Sequence, residues 1–353
     1  MTQHSAMVDG PRISSVRRRG ESALIPVLLA GLVGVLLWSV TSGRYPVPLD
    51  HVLAILVSRF VDVTPIWTST ELVVVEVVRL PRVLMAAMAG AGLALSGAVL
   101  QGLFRNPLVG PQTIGAASGA ALGGVVAILF LGFGLGVQVG AFVGAALALI
   151  AVLAIHRSDG LSPILSLVLA GVVVSAFCAA LVGLVTYVAD PETKLPGIVF
   201  WLLGSFAAAS WTKLGLISVC TVLAGIVMLG MRWRINVLSL GDEDARSLGV
   251  NPARDRLILI TATCLAISAQ VAVSGTIGWV GLVIPNLARM IVGADHRRLL
   301  PVATLMGAIF LVVADTLSRD LTAAEIPVGI VTAIVGTPIF AYLLRRNAAS
   351  KAP

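Results

Sequence analysis

Two arginines three residues apart, Arg79 and Arg82 in the stretch RLPRVLMAAMAGAGLALSG, open a run that stays apolar for a whole membrane thickness. Pro81 between them suits a first helical turn, where Arg82 opposes the amide dipole at a cost of about 0.3–1 kcal/mol. Such a pair invites a carboxylate from elsewhere or a lipid phosphate; the chemistry is electrostatic capture, not bond making. Arg319 follows Asp315, the main acid within an apolar run, by four residues. A second polar cluster lies in LSLGDEDARSLGVNPARDR, residues 238–256. Asp242, Glu243 and Asp244 after Gly241 suit the first turn of a short helix, Gly249 ends it and Pro252 begins the next element. That stretch is either a docking element for a partner or a solvated linker between spans.

Other chemistries are excluded by what is missing. Lys194, Lys213 and Lys351 lack the glycines of a GxxxxGK[ST] loop, so ATP cannot be held here through a P-loop. No histidine–carboxylate cluster and no nucleophile beside a base offers a catalytic site. Cys178, Cys220 and Cys264 stand far apart without CxxC spacing and read as small core residues. His4, His51, His156 and His296 fall outside the apolar runs, so neither metal ligation nor an intramembrane proton relay is expected. A net charge of +7 raises nucleic acid as a partner, but the basic residues form no arm or aromatic-interleaved stripe, and none is expected. A secondary carrier would show more buried ionisable groups than this chain offers. If the chain pumps, the energy comes from a partner.

The elements that must position these groups are membrane spans. Of the 353 residues 58% are hydrophobic and 12% charged, a balance foreign to a water-soluble globule of this length. Runs near the ~20 residues needed to cross the hydrocarbon lie at 23–42, 82–104, 113–132, 134–155, 162–188, 212–231, 255–273, 278–293, 300–316 and 327–344. The expectation is an all-α integral membrane protein of about ten transmembrane helices. Its permease domain spans 23–346, between an N-terminal tail (1–22) and a C-terminal tail (347–353). The first run is too long for a signal-peptide core and reads as an uncleaved span. Residues 197–211, between Trp201 and Trp211, read as a half-membrane helix.

An even number of spans puts both termini on one side, and most of the 24 Lys and Arg fall on that side, which makes it cytoplasmic. Arg44, Arg59, Arg79, Arg82, Lys194, Lys213 and Arg319 fall on the other. Ala86, Gly90, Ala94, Ala98 and Gly102 draw a line of small residues along the second span, and Gly115, Gly119 and Gly123 do so in the third; both imply close helix packing.

In order and spacing, RLPRVLMAAMAGAGLALSGAVLQGLFRNPLVGP, SGAALG, LGDEDARSLGV, SGTIGWVGLVIPNLAR, DHRRLLP, ADTLSR and EIPVGIVTAIVGTPIFAYLLRR resemble the FecCD-type permeases, from about residue 44 almost to the end. These are membrane subunits of ABC importers for ferric siderophores, haem and cobalamin. The resemblance implies a type II ABC importer permease fold in a bacterial plasma membrane, paired with a second permease copy. It also implies two ABC ATPase subunits, which hold ATP and Mg, and an extracytoplasmic substrate-binding protein. No cofactor is expected on this chain.

The resemblance places binding-protein docking on Arg79, Arg82 and Arg319, ATPase coupling on residues 238–250, and a cytoplasmic gate on Asn106 and Leu108 of RNPLVGP. Asn106 reads equally as a helix-end cap. In the coupling segment Leu240, Gly241, Ala245, Leu248 and Gly249 would present small and apolar surface, while Asp242 and Arg246, spaced i, i+4, would brace the helix. Gly110 stands where an acidic residue is common and Asn286 where a histidine is frequent, so gating details differ here. The second gate loop, near Ser162 to Ser166, matches poorly and is assigned no residue. A ferric siderophore is the expected cargo, with haem and cobalamin as alternatives.

Overall fold

The computed structural model describes residues 13–156, 163–322 and 324–349, with side chains for 23–156, 163–322 and 324–345. Most of the tails, Arg157 and the start of the loop at Ser162 lie outside the described residues. Among those described, the chain is helical and carries no strand.

Helix α1 (Ile13–Thr41) leads to a short α2 (Leu49–Val57) and to one continuous helical run, made of α3 (Ser69–Val73), a π-helical segment (Val74–Arg79) and α4 (Leu80–Leu103). A 3-10 turn (Pro111–Ile114) precedes α5 (Ala116–Leu131), and α6 (Leu135–Ile155), α7 (Pro163–Val188) and a short α8 (Leu195–Leu202) follow. Then come α9 (Trp211–Gly230), α10 (Arg232–Leu240), α11 (Asp242–Ser247), α12 (Pro252–Ser274), α13 (Val280–Val292), α14 (His296–Asp320) and α15 (Val328–Ala349). Among the described residues eight helical runs are long and apolar enough to cross a membrane, and α5 and α13 are shorter apolar helices, which together match the ten expected spans.

Three boundaries differ from expectation. The second span starts at Ser69, not near Arg82, because Pro81 is absorbed by the widened π turn rather than marking a helix start. In that turn the Glu76 carbonyl faces the position where proline has no amide, and the Trp211 indole N–H donates to it at 3.0 Å. The half-membrane helix is only Leu195–Leu202; Trp211 starts α9 instead, whose first turn is capped by Ser210 accepting from the Lys213 amide. The polar stretch after α9 carries an additional helix, α10, which Gly241 separates from α11.

Helix α4 is the buried axis of the bundle, and its small residues do what their spacing implies. A Cβ on Gly90 would fall 2.1 Å from the Gly307 carbonyl, and one on Gly307 would fall 2.4 Å from the Ala94 side chain, so α4 and α14 touch backbone to backbone. Gly123 meets Gly140 in the same way between α5 and α6. With lipid as apolar as leucine, such contacts rather than hydrophobic burial hold the helices together. The large apolar side chains left exposed on α1, α6, α7 and α9, such as Val33, Leu147, Phe177 and Ile226, suit a lipid-facing surface.

Candidate functional site

One end of the bundle gathers the seven basic residues sorted there by sequence. Arg79 donates to the carbonyls of Val40 (2.8 Å), Thr41 (3.1 Å) and Tyr45 (2.6 Å), where the last turn of α1 leaves carbonyls unpaired. Arg319 reaches the same helix end through the Ser39 carbonyl (3.1 Å) and hydroxyl (2.9 Å). Arg82 forks onto Asp315 at 3.0–3.1 Å and onto Glu325 at 2.9 Å, and Arg319 also lies 3.5 Å from Asp315. Arg44 donates to the Thr322 carbonyl, and Arg59 pairs with Glu76 at 2.8 Å while lying over the Trp211 ring.

This corrects the expectation of guanidiniums held open for an incoming carboxylate. Arg79, Arg82 and Arg319 are only 5%, 6% and 7% exposed, and their compensation is internal. The dipole argument fails for a physical reason: the helix begins at Ser69, three turns before Arg82, so no bare amides face that side chain. What the sequence could not supply was the neighbour, since Asp315 and Glu325 lie more than two hundred residues downstream. The ADTLSR segment, with an acid and an arginine one helical turn apart, was the available signal.

The opposite end is built differently. Asn251 caps α12 by accepting from the Arg254 amide, and Asp295 caps α14 by accepting from the Arg297 amide. Helix α11 covers Asp242–Ser247 with its three acids in the first turn, and Gly249 leaves it at a left-handed φ of 76°, as its sequence implies. Asp242 is held chiefly not by Arg246, whose charge adds a smaller pull, but by a residue of the next helix. Arg256, on α12, holds both carboxylate oxygens of Asp242 in a forked pair, and Arg234 holds Asp255 at 2.9 Å. The Arg256 hydrogen bonds, against an opposing effect of burial, keep Asp242 below the usual carboxylate range.

Among the expected coupling residues, Leu240 and Leu248 are exposed, whereas Ala245 is fully buried and anchors α11 to the core. The surface is therefore two leucines flanking an acidic turn, not an apolar strip. A cavity of about 480 Å³ beside it is lined by Arg105, Gly241, Asp242, Glu243, Asp244 and Arg246, among others.

Asn106 and Leu108 lie on the chain that leaves α4, both exposed. The Asn106 carboxamide oxygen accepts from the Leu108 amide at 2.9 Å, shaping a turn after Arg105 takes a left-handed φ of 51°. From there the chain runs beside α13: Asn286 donates to the Pro107 carbonyl at 3.0 Å, and Pro111 packs against Gly281. The asparagine at 286 thus supports the segment bearing Asn106 and Leu108, and Arg289 continues the line through Asn286 to Gln101.

Among the described residues no group of histidine, cysteine or acidic side chains is placed to hold a metal ion. The three cysteines are unpaired, with Cys178 and Cys264 buried. Among the described residues, the many-helix bundle carries an ion-paired rim at one end and a small capped helix at the other, the frame of a membrane-spanning protein. The family model of the FecCD transport family matches residues 31–346, and the chain belongs to that family as an ABC importer permease.

The chain is 43% identical over 328 residues to the molybdate import system permease protein MolB of Haemophilus influenzae, covering 90% of this chain and 95% of that protein. It is 44% identical over 278 residues to the hemin transport system permease protein HmuU of Yersinia pestis, covering 76% and 78%. A solved inward-facing ABC transporter assigned to the metal-chelate type superposes with a TM-score of 0.82 at 41% identity, over 92% of this chain and 99% of that one.

Proposed function

We propose that this permease takes up an iron chelate of the ferric siderophore kind from an extracytoplasmic binding protein, works beside a second permease copy, and is driven by separate ATPase subunits. The observation that carries the coupling half of this reading is α11. A six-residue helix clamped through Asp242 to Arg256, with Leu240 and Leu248 exposed at its ends, is a rigid knob where a plain turn would join two spans. ATP binding and hydrolysis on the partners would push on that knob. Both termini lie on the same side as α11, in the cytoplasm of a bacterium, as the distribution of basic residues supports.

At the outer end, Arg79, Arg82 and Arg319 fix the surface onto which the binding protein docks. The contact itself falls on the exposed groups that they hold, Glu325 foremost, which is about one-third exposed. Asn106 and Leu108 form the inner gate, a polar side chain beside an apolar one that can close a pore and rehydrate on opening.

A second reading of the cargo, molybdate, is favoured by the extent of the likeness to MolB. Uptake of radioactive iron, given as several ferric siderophores and as haem, and of radioactive molybdate is to be measured in cells with and without the gene, before and after ATP depletion. Loss of ATP-dependent uptake for a ferric chelate supports the first reading, and loss for molybdate alone replaces it with the second. Uptake that survives ATP depletion but collapses with an uncoupler contradicts both.

A further inference from the structure

Two of the ten apolar spans, α5 and α13, are as regular helix shorter than the hydrocarbon core. At 1.5 Å per residue α13 is about 20 Å long and α5 about 24 Å, against a hydrocarbon core of about 30 Å. Each is preceded by irregular backbone: residues 104–115 before α5, including the 3-10 turn, and residues 275–279 before α13, where Trp279 adopts a left-handed φ of 68°. These two irregular stretches meet, with Gly278 beside Gln112 and Gly281 beside Pro111. Non-helical backbone at membrane depth persists only where it is buried in protein or lines a water-filled cavity.

A cavity of about 340 Å³ lies at that meeting point, bounded also by α4, α7 and α12. No charged side chain lines it, but four polar ones do: Gln112, Ser118, Gln270 and Thr276. Thr276 is spent on the Leu202 carbonyl. Gln270 is 2% exposed; its amide nitrogen donates to the Ser274 hydroxyl (2.9 Å) and the Gly275 carbonyl (2.8 Å), which leaves its Oε1 without a partner among the described residues. The Gln112 carboxamide and the Ser118 hydroxyl likewise have none. Gln270 is buried, Ser118 half-buried and Gln112 exposed, and three polar side chains left without a partner around one cavity among the spans call for a hydrated or solute-filled space.

We propose that Gln112, Ser118 and Gln270 form a neutral hydrogen-bonding waypoint for the cargo, at the junction of the two helix breaks. Its ligand is an oxygen-rich solute, an oxyanion or the oxygen shell of a metal chelate: Gln112 Nε2 and Ser118 Oγ donate to its oxygens, and Gln270 Oε1 accepts from a ligand hydroxyl or an accompanying water. Neutral donors hold such a solute weakly, which suits a stage that must release it onward. The proposal rests on the importer reading.

The test uses the full chain in membranes with Cys178, Cys220 and Cys264 replaced by alanine, and single cysteines at Gln112, Ser118 and, as a lipid-facing control, Ile226. A membrane-impermeant, water-soluble thiol reagent added to permeabilised vesicles is expected to label S118C and Q112C at least about tenfold faster than I226C. Equal, slow labelling at all three overturns the proposal.

The second arm measures uptake of radioactive molybdate and of radioactive ferric chelates by Q112L/S118A, reconstituted with its ATPase and binding-protein partners. A drop of about fivefold or more in cargo moved per ATP, with assembly unchanged, is expected from losing two hydrogen bonds. Unchanged uptake per ATP overturns the waypoint even if the thiols label. If the unsubstituted chain moves neither solute, the cargo reading fails and the labelling alone decides on the cavity.

Discussion

The two ends of this permease handle charge in opposite ways. At one end Arg79, Arg82 and Arg319 are buried, and between them they close the last turn of α1, the acid of α14 and the loop before α15 into one cluster. At the other end the acids of α11 remain largely at the surface, and a single clasp, Arg256 on Asp242, ties the helix down. The arginine cluster is a fastening whose removal should be felt by the whole fold. The Asp242 clasp, on the proposed coupling reading, mounts a lever, and its removal should be felt by function first.

The sharpest way to break that contrast is Asp315→Ala. It strands the charge of Arg82 and loosens Arg319, and truncating one partner of a buried pair is expected to destabilise by about 3–5 kcal/mol. The readout is the midpoint of thermal unfolding in detergent and the yield of folded chain; a midpoint within a degree of the parent would deny the fastening.

Asp242→Asn comes next, with a loss of only about 1 kcal/mol in stability, since the pair is partly solvated. Its larger effect falls on coupling: ATP hydrolysis by the bound partners should continue while transported solute per ATP drops severalfold. The same clasp has a defined acid limit. Because the native state holds the Asp242 pKa below the ordinary 3.8, its contribution is complete at neutral pH and is lost as pH falls through the lowered native value. Transport per ATP in the parent should therefore show no step between pH 6 and 8 that Asp242→Asn abolishes, a comparison read directly from paired pH profiles.

The smallest expected change is Glu325→Gln. Arg82 keeps Asp315, and Glu325 is partly in solvent, so stability should shift by less than about 1 kcal/mol. Binding-protein docking should nevertheless weaken, and more at low salt than at high, in a pull-down titrated with salt.

Much of this was legible in the sequence because it is local. The ten apolar runs, the small-residue line through Gly90 on the second span and the glycine-bounded α11 depend on residues a few positions apart, and the structure places them as expected but for the start of the second span. What escaped is non-local or hidden by an ambiguous signal. Pro81 reads as a helix start, yet the π turn before it carries the helix back to Ser69, and with that the dipole argument about Arg82 disappears. The partner of Asp242 was assigned by spacing to Arg246, but a longer reach to Arg256 won because the start of α12 folds back over α11. The glutamines of the proposed waypoint were passed over, since Gln112 lies in the 3-10 turn before α5 and Gln270 in α12, and only the two helix breaks bring them to one cavity.

The central claim, that the inner lever couples this permease to ATP, is tested most directly in proteoliposomes. Uptake of radioactive ferric chelate or molybdate is followed for the permease alone, with its ATPase and binding-protein partners, and with Leu248→Asp in the exposed edge of the lever. The account predicts uptake only in the complete, ATP-supplied system, and loss of both uptake and ATPase co-purification for Leu248→Asp. Uptake by the permease alone, driven by a proton gradient and indifferent to ATP or to Leu248→Asp, would contradict it.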